Sequence, residues 1–162
     1  MNVDIKMTKY NVMKKELIIE TVSYLLILLF LYTGISKFID FDRTVFNLEQ
    51  APIVHYLPRF WGIVIPTSET IVAFLLFFPK TRHIGLLCSF MMMLTFTLYV
   101  AYMLTFLTGL ERPCSCGGIF QKMSWRMHLL VNSIFTVMSL IALFLQTKLN
   151  GNNFIKMESA GA

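Results

Sequence analysis

Four stretches of this chain are too long and too apolar for a water-soluble fold of its size. They run from Leu17 to Ile35, Phe60 to Phe78, Ile84 to Leu107, and Met127 to Leu145. Each approaches the ~20 residues needed to cross a hydrocarbon core about 30 Å thick. Inside that core the backbone must satisfy its own hydrogen bonds, so each stretch is expected to be a helix. Of the 162 residues 56% are hydrophobic and 14% charged, against about 25% charged in an average soluble domain. The expectation is an all-α integral membrane four-helix bundle in contact with the lipid bilayer. Residues 17–146 form the bundle, preceded by a lead over 1–16 and followed by a tail over 147–162 that is polar and loosely attached from Asn150 onward.

A net charge of +5 does not indicate nucleic acid, because the basic residues cluster at helix ends and form no continuous stripe. Four crossings divide them into two groups. Lys6, Lys9, Lys14, Lys15, Lys80, Arg82, Lys148 and Lys156 fall on one side; Lys37, Arg43, Arg59, Arg112, Lys122 and Arg126 fall on the other. The first group is larger and includes four lysines ahead of the first helix. The positive-inside rule then puts both termini in the cytoplasm. The first apolar run is long enough to span and is read as an uncleaved helix rather than a signal peptide. Between the first two helices, Phe41, Val45 and Leu48, with Ile53, mark a short amphipathic surface helix.

Chemistry concentrates in the gap before the fourth helix, which contains Pro113-Cys114-Ser115-Cys116-Gly117-Gly118. In the expected topology this gap faces the oxidising side of a bacterial inner membrane, where disulfides persist. A bridge between i and i+2 is tight, since extended backbone holds the two alpha carbons near the upper end of the usual range. Strained, exposed disulfides have raised reduction potentials, so Cys114 and Cys116 suit thiol–disulfide exchange better than architecture. An inert bridge or two free thiols is the plainer alternative. A copper site is a third, since Met123, Met127 and His128 follow closely and soft sulfur suits copper(I). Cys88 lies near the opposite end of the third helix. Its 19 residues to Leu107 span roughly 28 Å, out of reach of the pair, and Cys88 reads as a small buried hydrophobe.

Polar residues at membrane depth form a second set. Glu69 follows Pro66 in mid-helix, where a carboxylate is expensive and must face the bundle and find a partner. It reads as a proton acceptor, a contact for a bound headgroup, or a hydrogen bond between helices. His128 and Asn132 share one face of the fourth helix, His128 being a candidate to exchange protons with a thiol or a quinone. Lys37 ends the first helix near Asp40 and reads as a snorkelling anchor that could also lower a thiol pKa. Trp125 and Arg126 read as interfacial anchors. Tyr32 and Tyr102 are candidate pocket residues.

Several motifs then occur in order: Tyr32-Thr33-Gly34-Ile35-Ser36-Lys37-Phe38, Ile65-Pro66-Thr67-Ser68-Glu69, Pro79 with Arg82-His83-Ile84-Gly85, the Cys114-to-Gly118 run, and Trp125-Arg126. Over residues 20 to 145 this order resembles the DoxX-like membrane proteins, and within them the MauE-like group associated with methylamine utilisation. The resemblance implies a four-helix inner-membrane bundle, a role in periplasmic disulfide handling and a thioredoxin-like partner. The first expectation is therefore a membrane redox protein cycling Cys114 and Cys116 between dithiol and disulfide. Its electrons would pass to or from a membrane carrier, for which a quinone near His128, Asn132 and Glu69 is the candidate. The alternative is a non-catalytic assembly factor or anchor for a periplasmic redox enzyme. Four short helices could serve either role alone or within a larger complex.

Overall fold

The computed structural model describes residues 2–51, 54–106 and 124–160, with side chains placed for 10, 12–51, 54–106 and 124–151. Five helices account for nearly all of them, and no strand occurs among the described residues. They are α1 (Asn2–Ile39), α2 (Phe41–Glu49), α3 (Pro58–Phe77), α4 (Arg82–Phe106) and α5 (Trp125–Ala160). Four contain apolar spans: Val12–Ile39, Pro58–Phe77, Arg82–Phe106 and Trp125–Gly151. No more than 33% of any apolar window is buried within the protein. Leu28, Phe74, Leu98 and Phe144 are among the large apolar side chains that point outward. Such an exterior is stable in lipid and not in water, so the chain is a multi-pass membrane protein.

α1 packs on α3 and α5, and α4 packs on α3 and α5, closing a four-helix ring. Four crossings bring the α3–α4 turn at 78–81 to the same face as the start of α1 and the end of α5. The α1–α3 connection, the end of α4 and the start of α5 lie at the opposite face. The core is built from Ile19, Leu26 and Phe30 of α1, Val72 and Leu76 of α3, Leu86 and Met93 of α4, and Ala142 of α5. Small polar residues sit among them. Ser23 and Ser89 are buried and return their hydroxyls to the carbonyls of Ile19 and Gly85, both at 2.7 Å. Thr97 and Thr136 bond across α4 and α5 at 2.9 Å. Lipid supplies no hydrophobic drive for helix association, so close contact through small residues and interhelical hydrogen bonds carries the packing.

Two helices run well beyond their expected limits. α1 begins at Asn2 rather than Leu17 and would be roughly 57 Å long, so the lead is helical. The tail from Asn150, expected to be loose, continues α5 to Ala160. Its residues include good helix formers such as Lys156, Met157 and Glu158 and no proline. Gln146 Nε2 donates to Asn150 Oδ1 at 3.2 Å across the point where the helix was expected to stop. α3 opens with Pro58 in its first turn, where the missing N–H has no intrahelical partner to lose. α2 is the expected amphipathic helix, but its Thr44, Val45 and Leu48 are buried in the protein. Cys88 is a free, half-buried thiol packed against the core.

Near the 78–81 turn α3 and α4 are almost in backbone contact. A Cβ on Gly85 would stand 2.8 Å from Leu76 N and 2.9 Å from Leu75 C. Gly85→Leu should therefore destabilise the protein by about 1–3 kcal/mol, read as a lower thermal midpoint in detergent. Gly151→Ala is the control: nothing lies within 4 Å of its Cβ position, and the change should be neutral or stabilising by up to about 1 kcal/mol.

Candidate functional site

The half of the bundle away from the 78–81 turn encloses a cavity of about 830 Å³. All four spanning helices line it. Thr33 and Lys37 come from the last turns of α1, Trp61, Ser68 and Glu69 from α3, Phe96 and Tyr99 from α4, and His128 and Asn132 from the first turns of α5. Leu48 of α2 and Val54 contribute from the outer face. The lining is mostly apolar with a few convergent polar groups, the usual character of a small-molecule site.

The polar wall is organised by one ion pair. Lys37 Nζ donates to Glu69 Oε1 at 2.5 Å. Lys37 is 4% exposed and Glu69 1%, so both charges lie out of contact with water. Thr33 Oγ1 lies 3.2 Å from Glu69 Oε2 and 3.0 Å from the carbonyl of Leu29. The Lys37 ammonium also stands 5.7 Å from the centre of the Phe96 ring, within cation–π range. Gly34 lets α1 approach closely enough: its Cβ would meet the Pro66 carbonyl oxygen and Thr70 Oγ1, both at 3.3 Å. Thr70 Oγ1 donates to that same Pro66 carbonyl at 2.8 Å. α1 and α3 are thus held in register at the depth where the charges meet.

His128 is 3% exposed. Trp125 stacks obliquely beside it, with ring centres 6.1 Å apart. His128 and Asn132 face the cavity one turn apart, as their spacing requires. Lys37, Glu69, His128 and Asn132, four of the six expected site residues, therefore line a single space. Tyr102 also lines it, whereas Tyr32 does not. Cys114 and Cys116 lie outside the described residues.

Two expectations are corrected. Lys37 does not snorkel to the interface. Helix α1 continues past it to Ile39, and its ammonium turns inward to Glu69, where two opposite charges are less costly than either alone. Trp125 is half-buried and forms part of the cavity wall, not simply a lipid anchor. Thr33 and Ser68 appeared in the sequence only as members of motifs, and Phe96 and Tyr99 were not singled out. Phe96 and Tyr99 lie three apart in a stretch of α4 that carries no charge after Arg82, where nothing but helical phase distinguishes a cavity-facing aromatic from a lipid-facing one.

Breaking a buried pair leaves one charge uncompensated, which typically costs about 3–5 kcal/mol. Lys37→Met and Glu69→Leu should each lower stability by about that amount. The double variant should be less destabilised than either single, with the coupling read from a double-mutant cycle of denaturation in detergent.

A family model described as methylamine utilisation protein MauE matches residues 15–145. None of the curated proteins and none of the solved structures matches the chain. The family match begins in α1, reaches all four apolar spans and ends within α5, covering every residue named above as lining the cavity. On that coverage the chain belongs to the MauE family of membrane proteins.

Proposed function

We propose that this chain is a thiol–disulfide redox protein of the bacterial inner membrane, with both termini cytoplasmic and Cys114 and Cys116 on the periplasmic side. One observation carries the reading. The segment 107–123, which contains both cysteines, joins Phe106 to Trp125 at the end of the bundle where the cavity lies. A polar-walled space deep in the membrane, and a cysteine pair in the stretch of sequence that connects the α4 and α5 walls of that space, are the two parts that such a reaction needs.

The exchange is balanced as follows. A thiolate of the pair attacks the disulfide of a thioredoxin-like partner and forms a mixed disulfide. The second cysteine attacks its neighbour's sulfur, so that Cys114 and Cys116 become a disulfide and the partner leaves as a dithiol. The reverse sequence oxidises the partner. Restoring the pair moves two electrons and two protons between it and a membrane carrier of the quinone class. Quinone carbonyl oxygens accept hydrogen bonds, which Lys37, Asn132 and His128 are placed to donate. Glu69 and His128 are the groups able to hold or pass protons at the cavity. Nothing in this reaction specifies methylamine as the downstream substrate.

A second reading, a non-catalytic anchor for a redox enzyme, draws on Phe46, Tyr56 and Leu57. All three are exposed at the same end of the molecule and offer aromatic and aliphatic surface to a partner.

Thiol tagging separates the two. Spheroplasts are treated with a membrane-impermeant PEG-maleimide, before and after mild reduction. The wild type should gain two tags only after reduction, and each Cys→Ser variant should gain one without it. Either Cys114→Ser or Cys116→Ser should abolish exchange, while one of the two traps a mixed disulfide with the partner. Retained function in both variants would favour the anchor. Failure of the impermeant reagent, where a permeant one succeeds, would count against the periplasmic placement.

A further inference from the structure

The cavity wall is not closed all the way round. The lining residues of α1 and α5, Phe30, Thr33 and Lys37 on one side and His128, Val131 and Asn132 on the other, are buried or half-buried. The α4 wall differs. Met91, Thr95, Leu98 and Tyr102 line the same cavity, yet all four belong to the outer surface of the bundle. Leu98 is 61% exposed and Met91 53%. Their spacing, at i, i+4, i+7 and i+11, forms one continuous stripe along the helix.

On α3, Trp61, Ile65 and Ser68 line the same cavity. Near the turn the two helices are almost in backbone contact at Gly85. Farther from it the cavity separates them. The opening is therefore a lateral cleft between α3 and α4, in the half of the bundle away from the turn, and at this depth it gives onto lipid. Water-soluble ligands do not reach a protein from that direction.

We propose that this cleft is the route by which a lipid-borne quinone reaches the cavity, with its ring inward against the Lys37–Glu69 wall and its hydrocarbon tail along the Met91–Leu98 stripe. This rests on the carrier reading above and adds its direction of access and orientation. The volume of about 830 Å³ lies within the ~300–1,000 Å³ range of small-molecule pockets. The interior supplies hydrogen-bond donors for a ring carbonyl. Lys37 carries three N–H donors, and among the described residues Glu69 is the acceptor found for them. Besides the Tyr102 phenol and the Trp61 indole N–H, the cleft supplies apolar surface and the Thr95 and Ser68 hydroxyls. Both hydroxyls are directed back to backbone carbonyls, of Met91 at 2.8 Å and of Ile65 at 2.7 Å, and so present little polarity to a tail.

The protein contains its own reporter. The chain has two tryptophans, Trp61 and Trp125, and both line the cavity, so intrinsic fluorescence reads its occupancy. The full chain in lipid nanodiscs is titrated with decyl-ubiquinone. The expected result is saturable quenching at a stoichiometric ratio, retained when Cys114 and Cys116 are both changed to Ser. Thr95→Phe and Leu98→Phe add bulk at the cleft from outward-facing positions. Each should raise the half-saturation concentration on the order of ten-fold. Leu140→Phe, on the outer face of α5, should not. Unchanged half-saturation in both cleft variants overturns lateral access and leaves the carrier reading standing. Quenching that rises linearly without saturation in the wild type overturns occupancy of the cavity, and the carrier reading with it, while exchange at the cysteines is still decided by tagging.

Discussion

The buried pair of Lys37 and Glu69 is the constraint on which the rest of this bundle depends. Either charge alone at this depth would cost several kcal/mol, so the two side chains must meet. Their meeting fixes the helices that bear them. Sliding α1 past α3 by one turn, about 5.4 Å, would part the ammonium from the carboxylate and strand both. Gly34 and the Pro66 carbonyl, brought to near contact, place the two helices at the same level by steric fit. Electrostatics and packing thus impose one register. An apolar interface in lipid would specify that register weakly, because sliding one greasy surface over another changes little.

That constraint also shows which parts of the structure were legible in the sequence. The four spans were, since length and hydropathy suffice for them, and so was the short helix bearing Val45 and Leu48, whose period is plain. The need of Glu69 for a partner was also clear, because a mid-membrane carboxylate admits few alternatives. Its partner was not. Lys37 occupies the position of an interfacial anchor, and only the continuation of α1 to Ile39 and its closeness to α3 turn the side chain inward. The helical continuation of the tail was not legible for a related reason. A polar composition after Asn150 marks the end of the membrane, which is not the end of a helix. His128 and Asn132 were legible as a face, and Tyr102 as a candidate, but Tyr32 and Tyr102 could not be separated without knowing the rotation of each helix. Thr33 bonds within its own helix like many membrane threonines, and its second contact, to Glu69, is visible only in three dimensions.

The two halves of the bundle are packed on different principles. Toward the 78–81 turn Gly85, Ser89 and Ala73 set small side chains among the larger core residues, and at Gly85 the backbones of α3 and α4 nearly meet. Toward the other face the same helices carry Lys37, Glu69, Phe96, Tyr99, Trp61 and Trp125. These are bulky or charged and cannot interdigitate as closely. A cavity follows from that difference. Its polar groups bond along the α1–α3 wall, Lys37 and Thr33 to Glu69, and lipid does not press the helices together as water would.

Such an arrangement suits a reaction with partners in two different phases. In the proposed chemistry one partner is a protein dissolved in water and the other a carrier dissolved in lipid, and the cysteine pair must serve both. A closed bundle would isolate them. A bundle tight at one end and parted at the other gives the carrier a lateral way in, while α4 and α5 lead directly from the cavity wall into the segment that bears Cys114 and Cys116. The ion pair then has a second consequence. Its fixed charges give an otherwise apolar cleft a polar end, so a molecule with one polar and one greasy end would be held in a single orientation. Its reactive head would point toward the interior, and its tail would remain in the bilayer from which it came.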